Sequence, residues 1–354
     1  MQHAFSSLHL LQALIAFQGL LFALHLSVGK RGKRLPNRML AALLALLAVQ
    51  MVTNVARDLG HVDGIALPQL FGLLYGPLFY FYVRGLTHLD PRLGIEHVLH
   101  AAPFVALTIV LVTVELSIHT LAIGIFTSIG CYLFLASRAL HAYRRVLVET
   151  HARVGEITLG WLRNATRMLT VLWCFDILAY TSDRVASATV ERGVTHLLFV
   201  VLLIFVTTIV RKGLQHPELF AGITREDEAI AAVVTERADA TEIDEHDIRR
   251  LDACMETEQP FLDPDLTLAD LASTLGTTPR RLSRWINSHH HTNFSDFVNG
   301  YRITAARERL RDPDGGTILD ILHAVGFNSK SAFNQAFKRR TGMTPSQYRD
   351  QQST

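Results

Sequence analysis

The sequence predicts an all-α protein: a seven-helix transmembrane domain followed by a soluble double helix-turn-helix domain. Three observations lead there. Hydrophobic residues make up 49% of the 354, and they crowd into residues 1–210, leaving the last part of the chain with an ordinary soluble composition. The formal net charge of +2 hides an asymmetry: residues 1–212 hold 18 Lys/Arg and 10 Asp/Glu, residues 213–260 hold 4 and 13, and residues 261–354 hold 12 and 9. A basic first part, an acidic connector and a mildly basic tail point to three different surroundings. The tail then shows a helix–glycine–helix pattern twice.

A helix that crosses a bilayer needs about 20 mostly apolar residues. The candidates, in order, are Leu8–Val28, Met39–Ala56, Pro68–Leu86, Val98–Leu116, Ile118–Ser137, Met168–Ser182 and Val194–Val210. The sixth is short and carries Asp176. The first reads as a retained span, because its basic residues (Lys30, Arg31, Lys33, Arg34) follow the apolar stretch rather than precede it. Seven spans with the N-terminus outside place 15 Lys/Arg in inside segments and only Arg57, Arg184 and Arg192 outside. That bias follows the positive-inside rule and puts the tail in the cytoplasm of a cell bounded by its inner membrane. Pro77 should kink the third span, as a packing kink or a hinge beside a cavity.

Polar groups inside spans are costly and require a reason. Asp176, Glu115 and His196 are candidates for a signal site; snorkelling or interhelical hydrogen bonds is the plainer reading of each, and of His119. Cys131, Cys174 and Cys254 have neither disulfide nor metal-ligand spacing and read as buried or inert thiols. His289, His290 and His291 read as incidental residues of a turn. With no metal signature, nucleophile–base pair or phosphate loop, neither a cofactor nor enzyme activity is expected.

The connector, 213–260, contains one helix over Glu242–Glu258, with Ile243, Ile248, Leu251 and Met255 as a thin apolar stripe. That stripe suits a partner helix in a homodimer, packing on the tail, or a solvated spacer. In the tail, Leu268, Leu271, Ala272 and Leu275 form one apolar helix face and Gly276 ends it. Thr278 and Pro279 start the next helix, which turns Leu282, Trp285 and Ile286 inward and leaves Arg280, Arg281, Ser283, Arg284 and Asn287 outward. A second unit follows as Thr317–Val325, Gly326 and Ser329–Arg340, with Phe327, Phe333 and Phe337 inward and Lys330, Ser331, Asn334, Gln335, Lys338 and Arg339 outward. Ser295–Arg311 joins the two as a rigid strut. This is the helix-turn-helix pattern.

Residues 265–350 resemble the DNA-binding domain of the AraC/XylS family of bacterial transcription regulators. The resemblance rests on Leu268-Ala-Asp-Leu-Ala-Ser-Thr-Leu-Gly276, Tyr301-Arg-Ile303, Val325-Gly-Phe327, Ser331-Ala-Phe333 with Phe337-Lys338, and Thr341-Gly-Met-Thr-Pro-Ser-Gln-Tyr-Arg349. The membrane half, through Tyr75-Gly-Pro77 and His100-Ala-Ala-Pro103, resembles a membrane-bound subgroup with an N-terminal multi-span domain. One departure is Leu322, where the family has a small Ala; the bulkier residue is expected to open that helix crossing. The resemblance implies a seven-helix DNA-binding domain with base-reading positions on Arg280, Ser283, Arg284, Lys330, Ser331 and Gln335, and double-stranded DNA and RNA polymerase as partners. Arg can grip guanine bidentately and Gln adenine; Arg281, Lys338 and Arg339 are left for DNA phosphates. The expected organisation is 1–212 as a transmembrane sensor, 213–260 as connector and 261–354 as DNA-binding domain. The expected function is a membrane-bound transcription regulator answering an unknown small-molecule or membrane signal. The alternative is a transporter or membrane enzyme fused to an autoregulatory DNA-binding tail.

Overall fold

The computed structural model describes residues 6–28, 34–61, 70–87, 99–113, 118–152, 159–182, 188–215, 245–312 and 316–352. The described residues are helical, with one isolated β-bridge between His151 and Thr267 and no strand. The chain divides into two units: residues 1–141 with 159–223, and residues 142–158 with 224–354.

The first unit contains α1 (Ser7–Val28), α2 (Arg34–Asp58), α3 (Gly72–Thr87), α4 (Ala102–Thr113), most of α5 (Ile118–Thr150), α6 (Gly160–Ser182) and α7 (Ala188–Gln215). Four stretches among the described residues are long and apolar enough to cross a membrane: Ser7–Val28, Leu35–Asp58, His119–Thr150 and Arg192–Arg211. They correspond to the first, second, fifth and seventh expected spans. The other three fall short for identifiable reasons. α3 has 16 residues, about 24 Å at helical rise. α4 has 12 residues, and α6, though 23 residues long, carries Arg163, Arg167 and Asp176.

The helices of this unit bury some polar groups and also leave large apolar side chains outward. α1 buries His9, Gln12, Ile15, Ala16, Gly19, Phe22, Ala23 and Leu26, a stripe of helical period. On its other face Phe17 is 66% and Leu24 63% exposed. Phe134 on α5 and Val171 on α6 stand out similarly. Cys131 and Cys174, expected as buried or inert thiols, are exposed on this outer surface, whereas Cys254 is buried. Inside, Pro77 interrupts the backbone donors of α3, and Trp173 of α6 donates its indole N–H to the Phe126 carbonyl of α5 at 3.0 Å.

The second unit shows the opposite pattern. Among the described residues, Leu319 is its only large hydrophobic side chain standing exposed. Its helices are α8 (Glu245–Thr257), α9 (Leu268–Thr274), α10 (Pro279–His289), α11 (Phe294–Arg311), α12 (Ile318–Ala324), α13 (Lys330–Thr341) and α14 (Pro345–Gln352). Two cores form. Leu271, Ala272, Leu282, Trp285, Ile286 and Val298 gather in one, and Leu322, Val325, Phe333, Phe337 and Tyr348 in the other. The strut α11 supplies residues to both. Leu251 and Met255, two members of the thin stripe on α8, are fully buried in the first core. Of the uses open to that stripe, packing on the helix-turn-helix domain is therefore the one realised. Seven helices are present, but residues from 261 onward supply six of them and α8 is the seventh.

Candidate nucleic-acid interface

Each helix-turn-helix starts from the same local device. Thr267 caps α9 by accepting the Asp270 amide, while Asp270 accepts the Thr267 amide at 3.0 Å. Thr317 and Asp320 repeat this capping box on α12, fifty positions on. The turns repeat as well: the Thr277 amide bonds to the Ala272 carbonyl and the Phe327 amide to the Leu322 carbonyl, both at 2.9 Å. Gly276 and Gly326 take the positive φ that this closure requires, +61° and +85°. Leu322, the bulky residue where the family pattern has Ala, is fully buried, and the second crossing closes with the same turn bond as the first.

The recognition helices follow. Thr278 accepts the Arg281 amide and Pro279 opens α10; Ser329 accepts the Ala332 amide and opens α13. On α13, Lys330, Ser331, Gln335, Lys338 and Arg339 are all exposed, as the sequence predicts. Lys338 projects without a carboxylate partner among the described residues, whereas Arg339 is engaged by Asp296 of α11. On α10, Arg280 and Arg284 are half-buried one turn apart. Arg281 is exposed but ion-paired to Asp247 of α8 at 2.9 Å, with its guanidinium 5.6 Å from the Trp285 ring.

Ser283 departs from the expected outward placement, being only 4% exposed. The cause is the last turn of α5, which belongs to the second unit. The Glu149 carboxylate accepts from Asn287 Nδ2 at 3.5 Å, and the same Nδ2 lies 3.3 Å from the Ser283 hydroxyl beside it. Beyond it, the Ala152 amide donates to the Leu266 carbonyl, and Ala152 joins the first core.

Arg302 holds the two halves in register. It is 1% exposed, and its guanidinium donates to the carbonyls of Phe261 and Asp263 at 2.7 and 2.6 Å and lies 5.5 Å from the Phe327 ring. It stands inside the quoted Tyr301-Arg-Ile303 match, yet no periodicity marks an arginine as core. Glu149, Asp247 and Asp296 are the other interface residues that sequence reasoning missed; each acts across a long sequence separation that single-chain patterns do not record. Only the repeated Thr-x-x-Asp boxes carried a readable signal.

The expected signal-site residues divide. A cavity of about 680 Å³ in the first unit is lined mainly by apolar and aromatic side chains, with Gln50, Asn54, Tyr75 and Asp176 among its polar groups. The Tyr75 hydroxyl donates to Gln50. His196 lies outside this lining and pairs with the Ser7 hydroxyl and the Arg192 carbonyl at 3.0 and 2.7 Å. Glu115 lies outside the described residues.

The family match falls in the second unit. A family described as a helix-turn-helix domain matches residues 271–351. The transcriptional activator RhrA of Rhizobium meliloti is 33% identical over 96 residues, 27% of this chain and 30% of that protein. An AraC-like transcription regulator of Streptomyces lividans is 35% identical over 83 residues, 23% of this chain and 27% of its own length. The chain thus spans under a third of each of these relatives. Among solved structures, the C-terminal domain of AraT, a response regulator from Geobacillus stearothermophilus, is similar at 28% identity with a TM-score of 0.27, covering 31% of this chain and 88% of that one. The capped, glycine-turned helix pairs and the matched sequence together establish that this chain carries an AraC-type helix-turn-helix DNA-binding domain in its C-terminal part.

Proposed function

We propose that this protein is a membrane-anchored, sequence-specific transcription regulator that couples a signal met in or across the bilayer to promoter binding. The observation that carries the membrane part is the contrast in what the two units expose. The first presents Phe17, Leu24, Phe134 and Val171 outward while burying His9 and Gln12; among the described residues the second exposes only Leu319 of its large apolar side chains. A large exposed apolar surface of this kind needs a partner, and lipid suits long apolar helices.

Seven crossings remain the reading that fits the charges. If only the four long apolar stretches crossed, a cytoplasmic tail would place the N-terminus inside and the Lys30–Arg34 cluster outside, against the positive-inside rule. Letting α3, α4 and α6 also cross puts that cluster inside and the N-terminus outside. The organisation is then 1–212 as membrane domain, 213–260 as connector with its last helix docked, and 261–354 as the remainder of the DNA-binding domain.

On DNA, Arg280, Arg284, Lys330, Ser331 and Gln335 read bases and Lys338 meets phosphate. Arg281 and Arg339 exchange Asp247 and Asp296 for phosphates, and Ser283 becomes available when Glu149 withdraws. The signal is an amphipathic small molecule taken into the cavity beside Asp176, its apolar part against the aromatic lining. A homodimer would raise the local concentration of DNA-binding domains, and RNA polymerase is the partner through which a bound promoter would respond. The cavity would also suit a transported or chemically altered substrate, so transport by the reconstituted protein is the discriminating assay for the alternative of a transporter or membrane enzyme with an autoregulatory tail.

The test of the main reading is chromosome occupancy of the full-length protein beside an Arg280→Ala/Arg284→Ala variant. Discrete promoter peaks from a protein that stays in the membrane after carbonate washing, lost in the variant, are expected. A washed-out protein, or peaks that survive the double substitution, would overturn it.

A further inference from the structure

We propose that Asp252, His289 and His290 form a binding site for a first-row divalent cation, zinc foremost, which clamps α8 to the end of the first recognition helix. The three residues come from two elements. Asp252 lies on α8; His289 is the last residue of α10, and His290 is its C-cap. One ligand atom from each lies within 4.8 Å of the other two.

The spacing fits the chemistry. Zinc bonds of about 2.0–2.1 Å arranged tetrahedrally give edges of roughly 3.3 Å between ligand atoms. Asp252 Oδ1 and His290 Nε2 stand 3.3 Å apart. His290 Nε2 is enclosed and makes no hydrogen bond of acceptable geometry, although that carboxylate is its neighbour. The pair thus already forms one edge of a coordination tetrahedron. His289 supplies the third vertex: its ring lies 4.9 Å from that of His290 and nearly perpendicular to it. Its side chain is exposed at a helix end, so a change of side-chain torsion brings the nitrogen in without moving the core. Water would fill the fourth position.

The surroundings hold two of the three ligands in place. The Tyr301 hydroxyl donates to Asp252 Oδ1 at 3.3 Å, and the Phe297 ring packs 4.7 Å from the His290 ring. A hydrogen bond to a ligating carboxylate fixes its orientation, as outer partners of metal sites do. Two imidazoles and one carboxylate suit zinc, nickel or copper; magnesium and calcium prefer oxygen donors.

The test uses the full-length protein in detergent, stripped with chelator and titrated with zinc against a chromophoric competitor. One tight equivalent per chain is expected, with a raised melting temperature for the DNA-binding domain. Asp252→Asn, which keeps shape, and His289→Ala, at an exposed position, should each weaken that equivalent at least tenfold and abolish the thermal shift. Tyr301→Phe should weaken it by about tenfold, as loss of an outer partner does. Unchanged zinc affinity in Asp252→Asn and His289→Ala, or equal thermal stabilisation of the wild type by magnesium, would overturn the site. Because 17 histidines occur in the chain, the dependence on these two residues is the deciding readout rather than zinc binding alone.

Discussion

Gly276 and Gly326 end equivalent helices in equivalent turns, yet an added methyl should act very differently on them. At Gly276, φ is +61° and a Cβ would meet nothing within 4 Å. Only the backbone term applies there, about 1–2 kcal/mol for an L-residue held in the left-handed region. At Gly326, φ is +85° and a Cβ would stand 2.6 Å from the Phe261 carbonyl oxygen, 2.9 Å from that of Leu262 and 3.0 Å from Arg302 Nε. None of these is the free end of a flexible chain: two are backbone atoms, and the third belongs to the buried guanidinium. The Phe261 carbonyl is also the acceptor of Arg302 Nε. Making room therefore strains a charge-assisted hydrogen bond worth about 1.5–3 kcal/mol, in addition to the backbone term. Gly326→Ala should cost roughly 4 kcal/mol in all. Amide hydrogen exchange in the full-length chain reads the opening free energy locally. The Phe327 amide, bonded to the Leu322 carbonyl, should lose most of its protection in Gly326→Ala, while the Thr277 amide in Gly276→Ala should lose only a modest part. Equal losses at the two turns, or a greater loss at Gly276, would refute the argument.

Further outcomes follow from the same geometry. Arg284→Ala should cost about 1–3 kcal/mol on the best DNA site and little on random DNA, whereas Lys338→Ala should weaken all sequences alike and flatten the salt dependence; quantitative footprinting across a salt series separates the two. Glu149→Gln, which removes a carboxylate beside Ser283 and Asn287, should tighten DNA binding by about 0.5 kcal/mol, the scale of an exposed charge interaction; a weakened complex in fluorescence anisotropy would contradict its masking role. The Thr317 hydroxyl and amide hold the Asp320 carboxyl below the usual carboxylate range. The cap is therefore fully present above that range and fades as pH falls through it, so the protection factor of the Ile321 amide, its rate relative to the unfolded chain at the same pH, should fall on acidification, and Asp320→Asn should flatten that dependence. A reporter at the N-terminus should behave as external under seven crossings; a cytoplasmic signal would instead support four.

The DNA-binding domain was legible because its signals are local. Thr278-Pro279, Gly276, Gly326 and the inward spacing of Leu282, Trp285 and Ile286 are decided within a few residues, and the structure places them as expected. What was not legible acts at a distance. Ser283 lies on the outward arc of α10 by period alone, but the end of α5, well over a hundred positions earlier, covers it. Leu251 and Met255 look too few to form a core face, because the rest of that core comes from α9, α10 and α11. Replacing both with Ser would open the first core rather than merely uncouple a connector, so a fragment beginning at residue 261 lacks part of its own interior. In the first unit, the length of an apolar helix was readable where the apolar run was unbroken. It was less readable where the helix is short, as in α3, or carries charge, as in α6.

These contacts make the two recognition helices unequal. α13 presents Lys330, Ser331, Gln335 and Lys338 outward, and only Arg339 is drawn aside, by Asp296. α10 meets carboxylates from two other elements. Asp247 of α8 holds Arg281 near its start, Glu149 of α5 engages Ser283 and Asn287 in its middle, and Asp252 of α8 faces His290 at its end. For α10 to grip DNA, a phosphate must replace Asp247 at Arg281, so the favourable contact is offset by the pair that breaks. Phosphates must also approach Glu149 and Asp247, which repel them. Across exposed pairs each such exchange is a fraction of a kcal/mol to about 1 kcal/mol. On the proposed reading, several together favour binding by the second helix-turn-helix first, with the first following once α5 and α8 yield. The strut α11, with 18 residues, is about 27 Å long, less than a DNA turn of about 34 Å. Engagement of both helices therefore also requires bent DNA or a shifted unit, and that second demand falls on the same late step. On the proposed reading of α10 as a base-reading helix, the step open to control is its release from the carboxylates of α5 and α8.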